Sequence, residues 1–328
     1  MEFLIIVIIL VIIFDFINGF HDCANSIATI VSTKVLSPLA AVWWAAFFNF
    51  IAFLIFPLTV ATTIGKGIVN PDVINLATIA AAISAAIIWN LLTWWWGIPS
   101  SSSHTLVGGL AGAAFACSGI NAIVFAGIFK IAIFIIIAPV LGFIVSFLIS
   151  AIVIFISRNT SPSTADKHFR KLQLLSAAAF SLGHGGNDAQ KSMGIIWVAL
   201  IVSGQATKSD PISLWIVLTC HAAMGLGTLF GGWRIIKTMG QKITDLKPFE
   251  GFCAETAGSL TLFGATLFGI PVSTTHTITG AIIGVGARKG VSAVKWGVTG
   301  KIFWAWILTI PISAIIGYVM YFLFNMFK

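Results

Sequence analysis

Charged side chains are scarce in this chain of 328 residues. Lys, Arg, Asp and Glu together make up 9% of the sequence, whereas hydrophobic residues make up 58%. A soluble domain carries about 25% charged residues. There is too little polar surface here to coat a water-soluble globule, which excludes a cytosolic enzyme, a disordered chain and a nucleic-acid-binding protein. The remaining class is a polytopic helical membrane protein embedded in the lipid bilayer.

Several chemical signatures are missing as well. The four cysteines lie in apolar surroundings without metal-type spacing, so we expect free thiols and no disulfide framework. The sequence contains no P-loop, Rossmann fingerprint, nucleophile elbow or zinc motif. We therefore expect neither an ATPase nor another enzyme, and no covalent cofactor.

Apolar segments recur along the chain. A transmembrane helix needs about 20 predominantly apolar residues. The first segment lacks the basic start of a signal peptide, so we expect it to be a retained helix. The candidate segments are residues 3–33, 38–60, 76–98, 105–117, 120–157, 172–203, 212–232, 251–270, 276–287 and 296–327.

Two of these segments are too short to cross a bilayer. Residues 105–117 and 276–287 each follow a Gly-Ile-Pro sequence that breaks the preceding helix. A short apolar helix after such a break is typical of a re-entrant hairpin. Segment 120–157, by contrast, is long enough to be strongly tilted or to form two pieces.

Basic residues predict the orientation of the chain. Lys and Arg concentrate in connectors 158–171, 233–250 and 288–295, and cytoplasmic loops of membrane proteins are enriched in both residues. If all three connectors are cytoplasmic, residues 251–287 must enter the membrane and return to the same side, as a hairpin does. Connector 61–75 carries little basic charge and is predicted to lie outside. The net charge of +8 is explained by this asymmetry.

Two motifs occur twice. Residues 97–109 are GIPSSSSHTLVGG, and residues 269–281, 172 positions later, are GIPVSTTHTITGA. Residues 18–26 are NGFHDCANS, and residues 184–192, 166 positions later, are HGGNDAQKS. Each half of the chain therefore holds an Asp motif followed by a Pro-Ser/Thr-His motif.

This duplication predicts the architecture. Each half contains an odd number of crossings and a hairpin, so the second half is inverted relative to the first, as in secondary transporters. We predict an all-α polytopic membrane protein built of two inverted-topology repeats. The first repeat covers residues 1–157, a short basic cytoplasmic connector covers 158–171, and the second repeat covers 172–328.

Three acidic residues lie inside apolar segments. Most of the ten Asp and Glu residues fall in connectors or at a terminus, but Asp22, Asp188 and Glu255 do not. A carboxylate at mid-membrane costs about 2.5–3.5 kcal/mol on insertion scales, and it persists only when paired, protonated or bound to a cation. We predict that all three take part in cation or proton coupling. The structural alternatives are an ion pair between Asp188 and Lys191, and a helix-start position for Glu255 near the cytoplasmic interface.

The duplicated hydroxyl runs predict an anion site. Each run follows a proline and opens a short helix, where hydroxyls and free backbone N–H groups can bind an anion. Two such helix starts facing each other suit a tetrahedral oxyanion, although ordinary helix capping is the alternative. The candidate anion-binding residues are Ser101, Ser102, Ser103, Thr105, Ser273, Thr274 and Thr275.

Carboxylates and an oxyanion can share a pocket only with cations or protons between them. The amide oxygens of Asn25, Asn187 and Gln190 suit a hard cation. Lys191 takes the position that Asn25 holds in the first half, so its ammonium can replace one bound cation. Any metal ion is expected at Asp22, Asn25 and Asp188.

At these motifs the chain strongly resembles the inorganic phosphate transporter (PiT) family. The similarity runs almost end to end. It implies an inverted-repeat fold, transport of inorganic phosphate with a cation, cation-binding roles for Asp22 and Asp188, phosphate-holding hairpin tips, and often a homodimer. The segments that carry it are INGFHDCANSIATI, FNF at 48–50, IIWNLLTWWWGIPSSSSHTLVGG, HGGNDAQKSMG, GWRIIKTMGQKIT, GFCAETAGS and GIPVSTTHTITG.

Departures from the family pattern concern the coupling ion. Sodium-coupled members commonly carry Asn-Asp-x-x-Asn in both halves and a glutamate in the second span. Here His21 precedes Asp22, Lys191 replaces the second Asn, and Asn49 takes the glutamate position. These differences resemble the bacterial low-affinity branch, which is linked to protons and to neutral complexes of phosphate with Mg²⁺ or another divalent ion.

We therefore predict a proton-coupled phosphate symporter of a bacterial inner membrane. The same fold coupled to Na⁺, or moving sulfate or another oxyanion, is the nearest alternative. A passive anion channel would leave the buried Asp22 and Asp188 unexplained. A membrane hydrolase would need a nucleophile and base, for which the adjacent Ser103 and His104 are the only hint.

Overall fold

The computed structural model describes residues 2–70 and 72–326, apart from the side chains of residues 65 and 66. The outermost predicted positions, residues 1, 327 and 328, lie outside this part. Within the described residues the chain forms α-helices and no β-strand. The helices are α1 (Glu2–Ser32), α2 (Pro38–Ile51), α3 (Thr59–Gly67), α4 (Leu76–Trp96), α5 (Ser102–Ser118), α6 (Phe125–Ser157), α7 (Pro162–Val202), α8 (Leu214–Phe230), α9 (Trp233–Gln241), α10 (Pro248–Leu267), α11 (Thr274–Lys289) and α12 (Trp296–Asn325).

The predicted membrane class is confirmed by the length and composition of these helices. Among the described residues, five helices are long and apolar enough to cross a bilayer, and the pair α8 and α9 passes the same test together across a bend of 74°. The lipid-compatible surface is extensive. Leu, Ile, Phe and Trp side chains are exposed along α6 and α12, where water-soluble proteins would place charges.

The order of the helices shows the duplication, which is consistent with the inverted-repeat fold. Helices α1 to α6 recur as α7 to α12, with a long helix carrying the Asp motif first and a long helix with an internal proline last. That proline is Pro139 in α6 and Pro311 in α12, 172 positions apart. The offset equals the spacing of the two hairpin motifs, so the repeat extends beyond the motifs to whole elements.

The two halves interlock through their hairpins. Helix α5 packs on α12 of the second half, and α11 packs on α6 of the first half. Glycines permit this close approach: a Cβ atom at Gly108 would collide with Ser313 of α12, and one at Gly280 would collide with the backbone of Pro139 in α6. Small residues at helix contacts are the usual way to bring membrane helices together.

Each hairpin turns at a glycine. Gly97 ends α4 with φ 66°, and Gly269 follows α10 with φ 64°, a left-handed conformation that favours glycine. A short extended stretch through the proline then leads to Ser101 or Ser273, whose hydroxyls accept hydrogen bonds from the backbone N–H of His104 and His276. Both predicted helix starts are therefore formed. Helix α5 is longer than expected, however, since it begins at Ser102 and runs on as a 3-10 turn to Ala122.

The connectors are more helical than predicted. Segments 61–75 and 233–250 contain most of α3 and all of α9, and the presumed span 38–60 breaks at a 3-10 turn, Ala52–Leu54. Helix α9 buries Ile235, Ile236 and Met239 while its cationic side chains face away. The total charge of the segment does not reveal this amphipathic pattern, because the pattern depends on which positions along the helix are apolar.

Most of the basic stretch 158–171 is also helical. Ser161 caps the start of α7 and Pro162 occupies its first turn, so the helix begins ten residues before the predicted segment 172–203. Residues 162–171 form the exposed first turns of α7, where Arg170 pairs with Asp166 at 3.0 Å. Its charge density is that of a solvated helix end.

Candidate functional site

The site lies where α1 and α7 face each other at their Asp motifs. Asp22 and Asp188 are 2% and 1% exposed. One oxygen of each carboxylate and a ring nitrogen of His184 lie within 4.8 Å of one another. The two motifs that the sequence separates by 166 residues are thus brought into one buried cluster, and the cluster has the donors to hold a cation between two carboxylates.

Asp22 is tied to the first hairpin. The carboxylate oxygen Oδ1 lies 2.7 Å from Nδ1 of His21. The opposite ring nitrogen of His21 lies 3.1 Å from the hydroxyl of Thr93 on α4 and 3.4 Å from that of Ser100. His21 therefore connects Asp22 to the turn between α4 and α5.

Asp188 is tied to the second hairpin and to a fixed cation. Its carboxylate forms an ion pair with Lys191 one turn along α7 and accepts a hydrogen bond of 2.9 Å from the hydroxyl of Thr274. The Lys191 ammonium also donates to Ser103 at 2.5 Å and to the carbonyl of Val272 at 2.9 Å. Lys191 thus joins both hairpin tips to the Asp188 carboxylate.

The hairpin tips meet at the centre of the molecule. The Asn25 amide of α1 donates to Thr274 at 3.2 Å and to Thr275 at 2.9 Å. The rings of His104 and His276, each two residues after its helix start, have centroids 4.7 Å apart. Two helix N-termini from opposite halves therefore converge beside the paired aspartates.

The hydroxyl runs divide between capping and open positions. Ser101 and Ser273 cap their helices, and Thr105 donates within its own hairpin to the carbonyl of Ser101 at 2.8 Å. The hydroxyl of Ser102 is buried and has no hydrogen-bond partner among the described residues. Ser103 and Thr275 accept hydrogen bonds from Lys191 and Asn25. Ser102, Ser103 and Thr275 are thus the hydroxyls of the two runs that neither cap a helix nor donate to another described residue.

Two predicted cation ligands have other contacts. The Gln190 side-chain oxygen accepts from the backbone N–H of Val60 and Ala61 at 3.0 and 3.2 Å, so it caps the start of α3. Asn187 donates to Thr266 and to the carbonyl of Ile270 near the second hairpin turn. The side-chain oxygen of Gln190 is therefore engaged in this conformation, whereas the side-chain oxygen of Asn187 is buried without a hydrogen-bond partner among the described residues.

Glu255 forms a separate buried site. It is 0% exposed and is the eighth residue of α10, so it is not a carboxylate at the helix start. Its carboxylate accepts hydrogen bonds from Thr29 at 2.6 Å, Gln173 at 3.0 Å and Ser176 at 2.5 Å. Thr29 follows Asp22 by seven residues on α1, about 10 Å along the helix axis. Glu255 therefore lies beside the aspartate cluster in the direction of the C-terminal end of α1.

Sequence reasoning missed two buried residues. His184 is not among the predicted site residues, yet it completes the aspartate cluster and lies 3.2 Å from the side-chain oxygen of Asn49. Asp15 was not separated from the surface acids, yet it is 0% exposed within α1. The spacing of Asp15 and Asp22, two helical turns, is the signal that would have placed them on one helix face.

The fold and site together define a class. Two interlocked inverted repeats, each contributing a carboxylate and a helix start to one central site, are the architecture of a secondary membrane transporter. The profile of the phosphate transporter family matches residues 18–317. The chain belongs to this family, which confirms the predicted resemblance, and its relatives are transporters rather than enzymes.

Individual relatives of the chain are also described as phosphate transporters. A probable low-affinity inorganic phosphate transporter of Rhizobium meliloti (strain 1021) is 57% identical over 309 residues, covering 94% of this chain and 92% of the relative. One with the same description from Bacillus subtilis (strain 168) is 46% identical over 332 residues, covering 99% of each. A solved structure titled "The sodium-dependent phosphate transporter" matches with a TM-score of 0.90 and 27% identity over the full length of both chains.

Proposed function

We propose that this protein imports inorganic phosphate as a proton-coupled symporter of the bacterial inner membrane. The phosphate binds between the hairpin tips, near Ser102, Ser103 and Thr275, and faces the Asp22 and Asp188 carboxylates. Rocking of one repeat against the other exposes this site to alternate sides of the membrane. The family supports phosphate as the substrate, and the resemblance also suggests a homodimer.

The charge balance of the site carries the coupling. Asp22 and Asp188 supply two negative charges and Lys191 supplies one positive charge, all of them buried. A phosphate dianion added to this site would leave a large uncompensated negative charge in a medium of low dielectric constant. Protons or cations must therefore enter with the phosphate.

Protons fit the side chains near the site. His21 and His184 are imidazoles next to the two aspartates, and imidazole is the side chain that most readily changes its charge near neutral pH. The Lys191 ammonium already compensates the negative charge of Asp188, so fewer metal ions are needed to balance the charge of the site. Glu255 supplies a further buried carboxylate beyond the cluster.

A neutral complex of phosphate with a divalent ion is a second form of cargo that the site accommodates. Mg²⁺ is usually held by one or two carboxylates together with phosphate oxygens and water. Asp22 and Asp188 provide these carboxylates, and the complex would enter without adding net charge. Asn25, the third predicted ligand, donates its amide hydrogens to the second hairpin in this conformation.

The test is uptake of labelled phosphate into proteoliposomes with imposed gradients. We expect accumulation when the interior is alkaline, with and without Na⁺, and greater uptake when Mg²⁺ is present. Uptake driven by a sodium gradient alone would contradict proton coupling. Sodium is the competing candidate because the solved relative of the same fold is described as sodium-dependent. Competition by unlabelled sulfate, which we expect to be weak, distinguishes a sulfate permease.

A further inference from the structure

Asp15 is the buried acid that the proposed transport cycle leaves unused. It lies in α1, two helical turns before Asp22, with 0% of its surface exposed. Neither carboxylate oxygen has a hydrogen-bond partner or an ion pair among residues 2–70 and 72–326. A carboxylate left in this state would be strongly destabilised by the loss of water.

The surroundings of Asp15 are polar and equally unpartnered. The side chains of Asn18, Ser192 and Cys220 lie beside its carboxyl group. The side-chain oxygens of Asn18 and Ser192 are buried and, in the described part of the chain, also lack hydrogen-bond partners. Helices α1 and α7 thus supply oxygen atoms that point to a ligand shared with Asp15.

The ligand that fits is a proton. A sodium ion would need several more oxygen ligands than Asp15, Asn18 and Ser192 provide, and the thiol of Cys220 is a poor ligand for a hard cation. A proton needs only the carboxylate itself. The resulting acid is neutral, and its O–H can donate to the side-chain oxygen of Asn18 or Ser192.

The charged and titratable groups around Asp15 leave it without a cationic partner. Asp188 is near enough for its charge to act on Asp15, which opposes a second negative charge there. Helices α2 and α4 carry no titratable side chain. Of the helices that contact α1, α7 carries the buried groups His184, Asp188 and Lys191, α8 carries Cys220 and His221, α5 carries His104, α10 carries Glu250, Cys253 and Glu255, and α11 carries His276; α1 itself carries His21, Asp22 and Cys23.

We infer that Asp15 is a second proton-binding site of this transporter, from which protons reach the Asp22–Asp188 cluster. Asp15 and Thr29, the hydrogen-bond partner of Glu255, lie seven residues to either side of Asp22, about 10 Å in each direction along α1. The buried acids therefore form a file along this helix. This inference rests on the proposed proton coupling.

The experiment separates coupling from substrate binding. Asp15→Asn is compared with wild type and with Ser181→Ala in proteoliposomes. Ser181 occupies the Asp15 position of the second repeat, 166 residues later, and is equally buried, but its hydroxyl donates to the carbonyl of Ala177. We expect Asp15→Asn to lose accumulation driven by a pH gradient while phosphate exchange, which requires no net proton movement, stays near wild type. Ser181→Ala should keep both activities.

Comparison of wild type with Asp15→Asn distinguishes failure of the inference from failure of the proposed function. If wild type accumulates phosphate in response to pH and Asp15→Asn does so equally, Asp15 is not a proton site although the proposed function stands. If wild type itself ignores the pH gradient, the proposed function fails and the inference fails with it.

A second measurement covers the case in which Asp15→Asn does not fold. Dicyclohexylcarbodiimide modifies protonated carboxyl groups in apolar surroundings, and mass spectrometry of the wild-type protein locates the adduct. We expect modification of Asp15 that decreases as the pH is raised, in wild type and in Ser181→Ala alike. An unmodified Asp15 at the pH where wild type is driven by protons would overturn the inference.

Discussion

The two halves of this transporter share a scaffold and differ in their buried charges. Asp22 and Asp188 are equivalent, but Asp188 has the ammonium of Lys191 beside it, whereas the equivalent position near Asp22 is the neutral Asn25. The repeat symmetry therefore places the two carboxylates together. The difference between Lys191 and Asn25 gives the two carboxylates different electrostatic surroundings.

Each half also carries an acid that is 0% exposed and that the other half lacks. Asp15 of the first half corresponds to Ser181, and Glu255 of the second half corresponds to Ile83. Asp15 has no hydrogen-bond partner in the described part of the chain, while Glu255 has three. Along α1 the two acids lie on opposite sides of the shared aspartate cluster, because Glu255 is hydrogen-bonded to Thr29 while Asp15 precedes Asp22.

The largest effect is expected at the shared aspartates. Asp22→Asn and Asp188→Asn should each abolish phosphate uptake, because each removes a charge that binds the coupling ion. Their stabilities should differ. Asp188→Asn leaves the Lys191 ammonium buried without its partner, at a cost of about 3–5 kcal/mol, whereas Asp22→Asn leaves no lysine or arginine without an ion pair, because the described partner of Asp22 is His21. Uptake and thermal unfolding of purified protein measure both effects; wild-type uptake in either variant would remove the site.

Lys191→Asn makes the second half resemble the first. The fixed cation beside Asp188 is lost, so we expect uptake to fall strongly and to be partly restored by Na⁺ or Mg²⁺, which would occupy the vacated position. Lys167→Asn, which changes an exposed lysine on the same helix, is the control and should behave as wild type. Uptake measured over a range of cation concentrations tests this; a loss that no cation restores would argue against substitution of a bound cation by Lys191.

Glu255→Gln removes the acid that has no counterpart in the first half, while the shape of the side chain is kept. Hydrogen bonds to a charged group contribute about 1.5–3 kcal/mol each, and an amide keeps some of them. We expect partial loss of pH-driven uptake with little change in phosphate exchange. Glu250→Gln is the control, because Glu250 lies on the same helix but forms an ion pair of 2.9 Å with Lys289 and does not contact the aspartate cluster. Equal losses in both variants would indicate a structural role for Glu255.

The smallest effects are expected at the matched caps. Ser101→Ala and Ser273→Ala each remove one side-chain hydrogen bond to a helix start, which costs about 1 kcal/mol. The two variants should lower the unfolding temperature by similar small amounts and alter phosphate affinity little. Equilibrium binding of labelled phosphate checks this. A large loss of affinity in either variant would show that its hydroxyl binds the anion directly.

Much of the site could be predicted from the sequence because the repeat made it visible. The paired motifs identified Asp22, Asp188 and both hairpin tips, and the structure brings these together. The same approach assigned Gln190 to cation binding, although its side chain caps α3. It also missed Asp15 and His184, because neither is duplicated and a single polar residue in an apolar segment has no partner until the helices are packed.

The membrane class, the inverted duplication and the hairpin turns can be read from the sequence, because hydropathy, motif identity and Gly-Pro geometry are local properties. Which half each hairpin packs against, which hydroxyls are used as caps, and which buried acids have partners become visible only when the helices are packed. These depend on contacts between residues far apart in the chain, such as Asn25 with Thr275 and Thr29 with Glu255. The low charge content marked the lipid environment, and the packing determined the surroundings of the few buried charges.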